Sequence, residues 1–248
     1  MVHLTPTTLI TGPKVTERWG RSIFIDTGAI GTTLAVSREN RIPRASVVVT
    51  LAAQELMRLS KNGDKADHIV LLGSDVDPTQ HPDFREITDN LRELRNKWFP
   101  RAKLVLVSDD PDLESPETRI ALGAFDFNVM RLESGTAKTY SALTGNKSTG
   151  LAQLVKHLTT VERVVVRAEI VRGKIDNSTP AELKNWMKKL REVEPVEIQL
   201  STLKGKGKPT DDRRSVTKAA LNKVAEELGD EIGATVKVFQ PGTVLEPI

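Results

Sequence analysis

The sequence predicts an α/β fold in which about six βα units build a parallel sheet. Apolar runs of strand length alternate with amphipathic segments of helix length, as is typical of such units. The runs at 68–73 and 103–108 are apolar almost throughout, as expected of strands with both faces buried. The predicted strands are Ser22–Asp26, His68–Gly73, Lys103–Ser108, Phe125–Leu132, Arg163–Val171 and Val196–Ser201, with a further one at Thr235–Phe239.

Local signals predict the helices between these strands. Within 81–98, apolar residues recur at intervals of three or four, which predicts one buried stripe. These residues are Phe84, Ile87, Leu91, Leu94 and Trp98. Thr179 before Pro180 is a helix-capping pattern, and Ser115 opens another helix in the same way. Gly229 is expected to end the last helix.

Composition excludes several kinds of chemistry. The chain has 248 residues and no cysteine, so it offers no disulfide, thiolate nucleophile, or cysteine ligand for zinc or an iron–sulfur cluster. The formal net charge of +3 gives no overall nucleic-acid signature. No apolar run reaches about 18 residues and no signal-peptide pattern occurs, so we expect a cytoplasmic protein without membrane contact. Without a Pro- or Ser-rich linker, we expect one domain over 1–248, with its core at about 12–239.

Two predicted strands carry polar residues on one face. The fifth places Arg167 and Glu169 there, and the sixth places Glu197, Gln199 and Ser201. If the sheet curls, these faces line an open, wet interior, because a barrel filled with Val, Ile and Leu would not tolerate them. In the alternative interpretation both strands lie at sheet edges with one face in solvent. The sequence leaves both interpretations open.

Acidic residues follow the predicted strands at the end where parallel βα folds place their sites. With neighbouring polar residues they form a candidate pocket of Asp75, Asp109, Glu133, Glu169, Arg172, Gln199 and Lys204. Converging carboxylates would bind a divalent cation, act as acid and base, or hold an amine or hydroxyl group. The alternative interpretation is that Asp and Ser at these positions cap the following helices.

Other motifs predict little further chemistry. The histidines His3, His68, His81 and His157 lack metal-ligand spacing, and no dinucleotide-binding glycine pattern, phosphate-binding loop or serine elbow occurs. The segment 204–218 contains six basic residues: Lys204, Lys206, Lys208, Arg213, Arg214 and Lys218. We interpret it either as a solvated loop or as a contact for RNA or phosphate.

Five short segments, taken in order, carry a resemblance to a known family. They read Arg-Trp-Gly-Arg-Ser-Ile at 18–23, Asp-Pro-Thr-Gln-His-Pro-Asp-Phe at 77–84, Val-Ser-Asp-Asp at 107–110, Leu-Glu-Ser-Gly at 132–135 and Gly-Lys-Ile-Asp-Asn-Ser at 173–178. In this order they resemble the radical S-adenosylmethionine superfamily, most of all its small stand-alone members. The resemblance covers about 12–239 and implies a partial TIM-type (βα)6 barrel.

The chain departs from that family at its cofactor site. The family holds an iron–sulfur cluster with Cys-x3-Cys-x2-Cys after the first strand, whereas Thr27–Arg41 contains no cysteine. The family's Gly-x-Gly-Glu-Pro segment, which approaches the cofactor, aligns with Ser74–Pro78. The resemblance therefore implies cofactor binding by Ser74 and Asp77, although both glycines are replaced.

The leading hypothesis is a degenerate radical-S-adenosylmethionine-like protein without a cluster, a pseudoenzyme that binds or regulates. Its partner would be an unidentified small molecule or protein. No cofactor is predicted, and S-adenosylmethionine is the one open candidate. A second hypothesis is a non-radical enzyme that uses the acidic pocket, with Arg172 and Lys204 holding an anionic substrate. A third is an RNA- or phosphate-binding protein that uses 204–218.

Overall fold

The computed structural model of the chain describes residues 9–29, 42–145, 150–203 and 213–239. They fall into two units, one within 1–128 and one within 129–246. In both units strands alternate with helices along the chain. The expectation of a single domain over 1–248 stays a prediction.

The first unit contains four neighbouring strands in the order β1-β2-β3-β4. They are β1 (Ile10–Thr16), β2 (Gly20–Asp26), β3 (His68–Leu72) and β4 (Lys103–Ser108). β3 pairs in parallel with both β2 and β4, whereas β1 pairs antiparallel with β2. The helices are α1 (Ala45–Lys61), α2 (Phe84–Trp98) and α3 (Pro116–Leu122), and a 3-10 turn covers Pro78–Gln80.

The packing of this unit follows from its apolar pattern. Ile69, Val70 and Leu71 on β3 are each 0% exposed, as both-face burial requires. On α2 the predicted stripe buries Phe84, and Ile87 and Leu91 further along the helix. Ser115 caps α3 as predicted, since its side chain accepts a hydrogen bond from the Thr118 N–H.

The sequence did not predict β1. This strand contains Gly12 and Pro13, residue types that weaken a strand assignment, and its register with β2 shifts between Thr11 and Lys14. Pro13 is tolerated because β1 is the outermost strand of this unit, where a missing N–H interrupts no second ladder.

The second unit contains strands in the order β5-β6-β8-β10, with a separate two-stranded ribbon of β7 and β9. They are β5 (Phe127–Arg131), β6 (Val164–Glu169), β7 (Val171–Gly173), β8 (Glu197–Ser201), β9 (Arg213–Ser215) and β10 (Thr235–Val238). The first two residues of β5 belong to the first unit. β8 pairs in parallel with β6 and β10. The helices are α4 (Ala137–Thr144), α5 (Leu151–Leu158), α6 (Pro180–Val193) and α7 (Lys218–Ile232).

The edge-strand interpretation of the polar strands is wrong. Both β6 and β8 have a neighbouring strand on each side, so neither is an edge. Arg167 on β6 is 6% exposed, and Gln199 on β8 is 1% exposed. Most of the polar face is therefore buried, and the open, wet interior that the other interpretation expected stays a prediction.

Three further expectations need correction. Gly229 does not end the last helix: α7 continues to Ile232, and Gly233 ends it in the left-handed conformation that suits glycine, with φ of 72°. The fifth predicted strand divides into β6 and β7 at Ile170. The basic segment is not a loop throughout, because its described part contains β9 and the start of α7.

All seven predicted strands are present, and the mostly parallel α/β fold is confirmed. Neither unit by itself closes into a barrel through its described strands. Among these same residues, no helix has the length and apolar character that a bilayer crossing requires.

We predict that Asp126→Asn destabilises the first unit, because this carboxylate ties β4 to α2. It accepts hydrogen bonds from the Leu104 N–H at 2.9 Å and Arg95 at 2.8 Å, and Lys103 lies 3.3 Å away. Burial raises the pKa of Asp126, but the Leu104 N–H and the two cations outweigh it and hold this pKa below its ordinary value. The loss should be about 2 kcal/mol at pH 7 in urea denaturation.

The difference in stability between the wild type and Asp126→Asn should shrink in acid. A lowered pKa in the folded state gives stability that is present above the unfolded pKa of about 3.9 and lost as the pH falls through the folded pKa. Asp89→Asn on the exposed face of α2 is the control, with an expected loss below about 0.5 kcal/mol. A loss that is equal in both variants, or independent of pH, would contradict the prediction.

Candidate functional site

In the first unit, the Asp77 carboxylate is a hydrogen-bond hub between the segments that follow β3 and β4. Oδ1 accepts from the N–H and hydroxyl of Thr79, at 3.0 and 2.6 Å. Oδ2 accepts from the N–H groups of Asp109 and Asp110, at 2.8 and 3.1 Å. The Ser108 hydroxyl lies within 3.0 Å of both oxygens. Asp77 thus caps the 3-10 turn, as the alternative interpretation expected, and its acceptor capacity is used by the chain itself.

The segment before Asp77 packs closely against two glycines. A Cβ atom on Gly28 or on Gly73 would lie 1.9 Å from the Val76 carbonyl oxygen, so both positions exclude a side chain. The Val76 N–H also donates to the Gly28 carbonyl at 3.2 Å. The space that these glycines leave open is therefore filled by the protein's own backbone.

Asp26, at the end of β2, joins the same segments. Its Oδ1 accepts from the N–H groups of Gly28 and Ser74, at 3.0 and 3.1 Å. Its Oδ2 is buried and has no hydrogen-bond partner, which is uncommon for a carboxylate that is 1% exposed. Ser74 itself is exposed and takes part through its backbone.

The other predicted residues of the first unit, Asp75 and Asp109, are exposed. Asp110 beside them accepts from the Gln80 side-chain amide at 3.2 Å. Asp109 and Asp110 thus contribute their backbone N–H groups to the Asp77 hub, and Asp77 contributes its carboxylate.

In the second unit, Glu133 and Glu169 come together at the ends of β5 and β6. Glu133 is 2% exposed, forms an ion pair with Arg131, and accepts from the Glu169 N–H at 3.2 Å. The amide of Asn177 donates to the carbonyls of Glu133 and Glu169, at 2.8 and 2.9 Å. The Asn177 side-chain oxygen accepts from the Val171 N–H at 2.8 Å. These bonds hold the Glu133 carboxylate and the backbone of Glu169 in place.

Glu169 differs from Glu133 in its electrostatics. Burial, and then repulsion from the Glu133 carboxylate, raise the pKa of Glu169 above its ordinary value, against the attraction of Arg131, Arg213 and Arg167. Such a carboxyl holds its proton more firmly than an exposed one and is suited to acid–base work.

The remaining predicted residues of this unit are Gln199, Arg172 and Lys204. Gln199 is buried and donates to Glu197 at 2.7 Å. Arg172 is exposed on β7 and lies in a separate groove with Ser178 and Lys223. Lys204 falls outside the described residues.

Sequence reasoning missed three residues of these networks. Arg131 had a usable signal, because it lies two positions before Glu133 and so on the same side of an extended segment. Thr79 and Asn177 occur in two of the segments that carry the family resemblance, but their roles depend on segments brought together by the fold. The Thr79 hydroxyl oxygen also accepts a hydrogen bond from the Asp112 N–H at 2.9 Å.

The side chains do not fit a cysteine-held cluster. No thiolate exists in the 248 residues. In the ranges that the structure describes, no three His, Asp or Glu side chains are grouped so as to hold a metal ion.

Comparison with known proteins decides the fold. No family model and no curated protein matches the sequence. Among solved structures, a domain of pyruvate-formate lyase-activating enzyme from Bacteroides vulgatus is 14% identical, with a TM-score of 0.53 over 70% of this chain and 99% of that one. A radical SAM methyltransferase from Sphaerobacter thermophilus is 13% identical, with a TM-score of 0.57 over 91% of this chain and 69% of that one.

The chain has the fold of radical S-adenosylmethionine enzymes. A third structure with this fold, Streptococcus suis SuiB bound to S-adenosylmethionine, is 16% identical with a TM-score of 0.56. It matches 83% of this chain, which spans only 45% of SuiB. The radical S-adenosylmethionine fold is thus present here without the cysteines that hold a cluster in the family it resembles.

We predict that Asp77→Ala destabilises the protein by about 3 kcal/mol, because it leaves several part-buried donors without their acceptor. Asp77→Asn should lose less, since one carbonyl oxygen remains. Asp75→Ala, two positions away and exposed, is the matched control. The free energy of unfolding in urea measures all three variants, and equal values for Asp77→Ala and the wild type would show that the hub is not structural.

A second prediction concerns the pH dependence of Glu169→Gln. Because the folded pKa of Glu169 is raised, its contribution to stability is fully present below the unfolded pKa of about 4.3 and is lost as the pH rises through the folded pKa. The amide variant loses nothing over this window, so its free energy of unfolding should rise relative to that of the wild type between acid and neutral pH. Urea denaturation from pH 4 to 8 measures the gain.

The exposed Glu226→Gln on α7 serves as the control for this series. The difference in the free energy of unfolding between Glu226→Gln and the wild type should stay constant over the same pH range. If the difference between Glu169→Gln and the wild type is also independent of pH, the surroundings of Glu169 do not raise its pKa.

Proposed function

We propose that this chain is a binding protein with the radical S-adenosylmethionine fold that works without an iron–sulfur cluster. It would act by holding a small molecule or a protein partner, in the cytoplasm. Reductive cleavage of S-adenosylmethionine needs an electron from a cluster and an iron to anchor the cofactor, and the chain supplies no thiolate for either. This absence of cysteine from the fold is the observation that carries the proposal.

The segment that aligns with Gly-x-Gly-Glu-Pro supports the same conclusion. In the radical S-adenosylmethionine family, which the sequence resembles, the backbone of this segment approaches the cofactor. Here the Val76 carbonyl packs against Gly28 and Gly73, and Asp77 is engaged by Thr79, Asp109 and Asp110. A ligand that used Asp77 would first have to displace donors of the protein, at a cost of about 1 kcal/mol for each hydrogen bond.

A second candidate function is acid–base catalysis without radicals. The raised pKa of Glu169 favours it, because a half-buried carboxyl next to a second carboxylate is a common arrangement for a general acid. Against it, Glu133 is occupied by Arg131 and by the Glu169 N–H. This candidate requires that the pKa of Glu169 is raised. The pH dependence of the stability of Glu169→Gln tests that requirement.

Anaerobic reconstitution with ferrous iron and sulfide tests the leading proposal. We expect no stoichiometric cluster, measured by iron and sulfide content and by visible absorbance, because cluster assembly needs cysteine thiolates. A cysteine-bearing radical S-adenosylmethionine enzyme, treated in parallel, is the positive control. A cluster that survives desalting at one per chain would refute the proposal.

The binding half of the proposal is tested separately by thermal shift. S-adenosylmethionine, S-adenosylhomocysteine, nucleotides and divalent ions form the panel, and a ligand of the folded state at 100 times its Kd adds about 2.7 kcal/mol of stability. We expect at least one of them to raise the Tm. If none does, while the fold is intact by circular dichroism, small-molecule binding of these classes is excluded and a protein partner is left.

A further inference from the structure

A groove in the second unit lies apart from the carboxylate network. It has a volume of about 330 Å³ and is formed by the first turn of α6 and the first three turns of α7, together with residues around β7 and the residues after β9. Its lining residues are Ile170, Arg172, Ser178, Pro180, Leu183, Val216, Thr217, Ala220, Lys223, Val224 and Glu227. The volume falls at the lower end of the range of small-molecule sites, about 300–1,000 Å³.

The floor of this groove is apolar. Ile170, Leu183, Val216 and Val224 are between 1% and 9% exposed, and each presents an aliphatic side chain. An apolar floor gains free energy when it is covered by a hydrocarbon or aromatic body. The groove therefore suits a ligand that is more than a bare inorganic ion.

The rim of the groove is charged. Arg172 and Lys223 supply two cations against the single carboxylate of Glu227. Lys223 and Glu227 are 3.9 Å apart and exposed, so they form at most a weak ion pair. The side chain of Arg172 makes no hydrogen bond or ion pair with any described residue, so its planar guanidinium can take a carboxylate or phosphate in a two-point contact.

We propose that this groove binds a small organic anion, with its apolar body on the floor and its carboxylate or phosphate group on Arg172. This inference goes beyond the proposed function and does not depend on it, because no residue of the groove belongs to the segments that would hold a cluster. Lys223 adds long-range attraction at the rim, and Glu227 disfavours dianions placed at that end.

Calorimetry with phenyl phosphate and phenylacetate tests the proposal on the full chain. Both should bind, whereas inorganic phosphate and benzyl alcohol, which lack the body or the charge, should bind at least about tenfold more weakly. The comparison of the two acids shows which anionic group the groove prefers. If neither acid binds, the proposal is wrong.

Two variants locate the site. Arg172→Gln should weaken phenyl phosphate binding about tenfold, because it removes the two-point charged contact. Ala220→Phe, at an exposed position on α7, fills the groove and should weaken both acids. Both variants should keep the Tm of the wild type, and Lys223→Gln offers an independent third variant at the rim.

Arg214→Gln is the matched control. Arg214 pairs with Arg172 across the β7–β9 ribbon but does not line the groove, so it changes the local net charge equally without touching the site. Its effect on binding should stay below about twofold at physiological salt. Equal losses in Arg172→Gln and Arg214→Gln would show general attraction to a basic surface and would overturn the proposal.

Discussion

Two carboxylates at strand ends of this chain, Asp77 and Glu133, are held by the chain's own donors, and the local structure around them depends on this. A carboxylate that leaves water must find hydrogen bonds elsewhere, or it costs several kcal/mol. Asp77 finds them in Thr79, Ser108 and the backbone that follows β4, and Glu133 finds them in Arg131 and the Glu169 N–H. Because the donors and acceptors belong to successive βα units, each of these carboxylates fixes one segment against the next.

This use of the carboxylates limits where ligands can bind. A side chain that is already satisfied contributes to a ligand only the difference between two similar hydrogen bonds, whereas an exposed side chain without a partner contributes nearly the whole new interaction. Asp77 and Glu133 belong to the first kind, and Arg172, whose side chain has no partner among the described residues, belongs to the second. Asp26 stands between them, because one of its oxygens is satisfied and the other is buried without a partner.

The sequence predicted those parts of the fold that are decided locally. β3 and β4 follow from continuous apolar runs, and α6 follows from Thr179 before Pro180. β1 and the β7–β9 ribbon could not be predicted, since they depend on pairing with distant segments and contain Gly, Pro or Arg. Gly229 shows the limit of a single-residue signal: glycine is tolerated inside α7, and the helix ends where Gly233 takes a positive φ.

The candidate site shows the same division between local and long-range information. The sequence located the carboxylates, because strand ends can be read from it, but whether a carboxylate is engaged depends on residues such as Asn177, 44 positions away from Glu133. Identity of 13% to 16% to radical S-adenosylmethionine structures shows that the backbone path tolerates almost complete replacement of side chains. The apolar strands maintain this path in a chain that has no cysteine. The fold and the cysteine motif of the family it resembles are therefore separable, and function has to be argued from the side chains that are present.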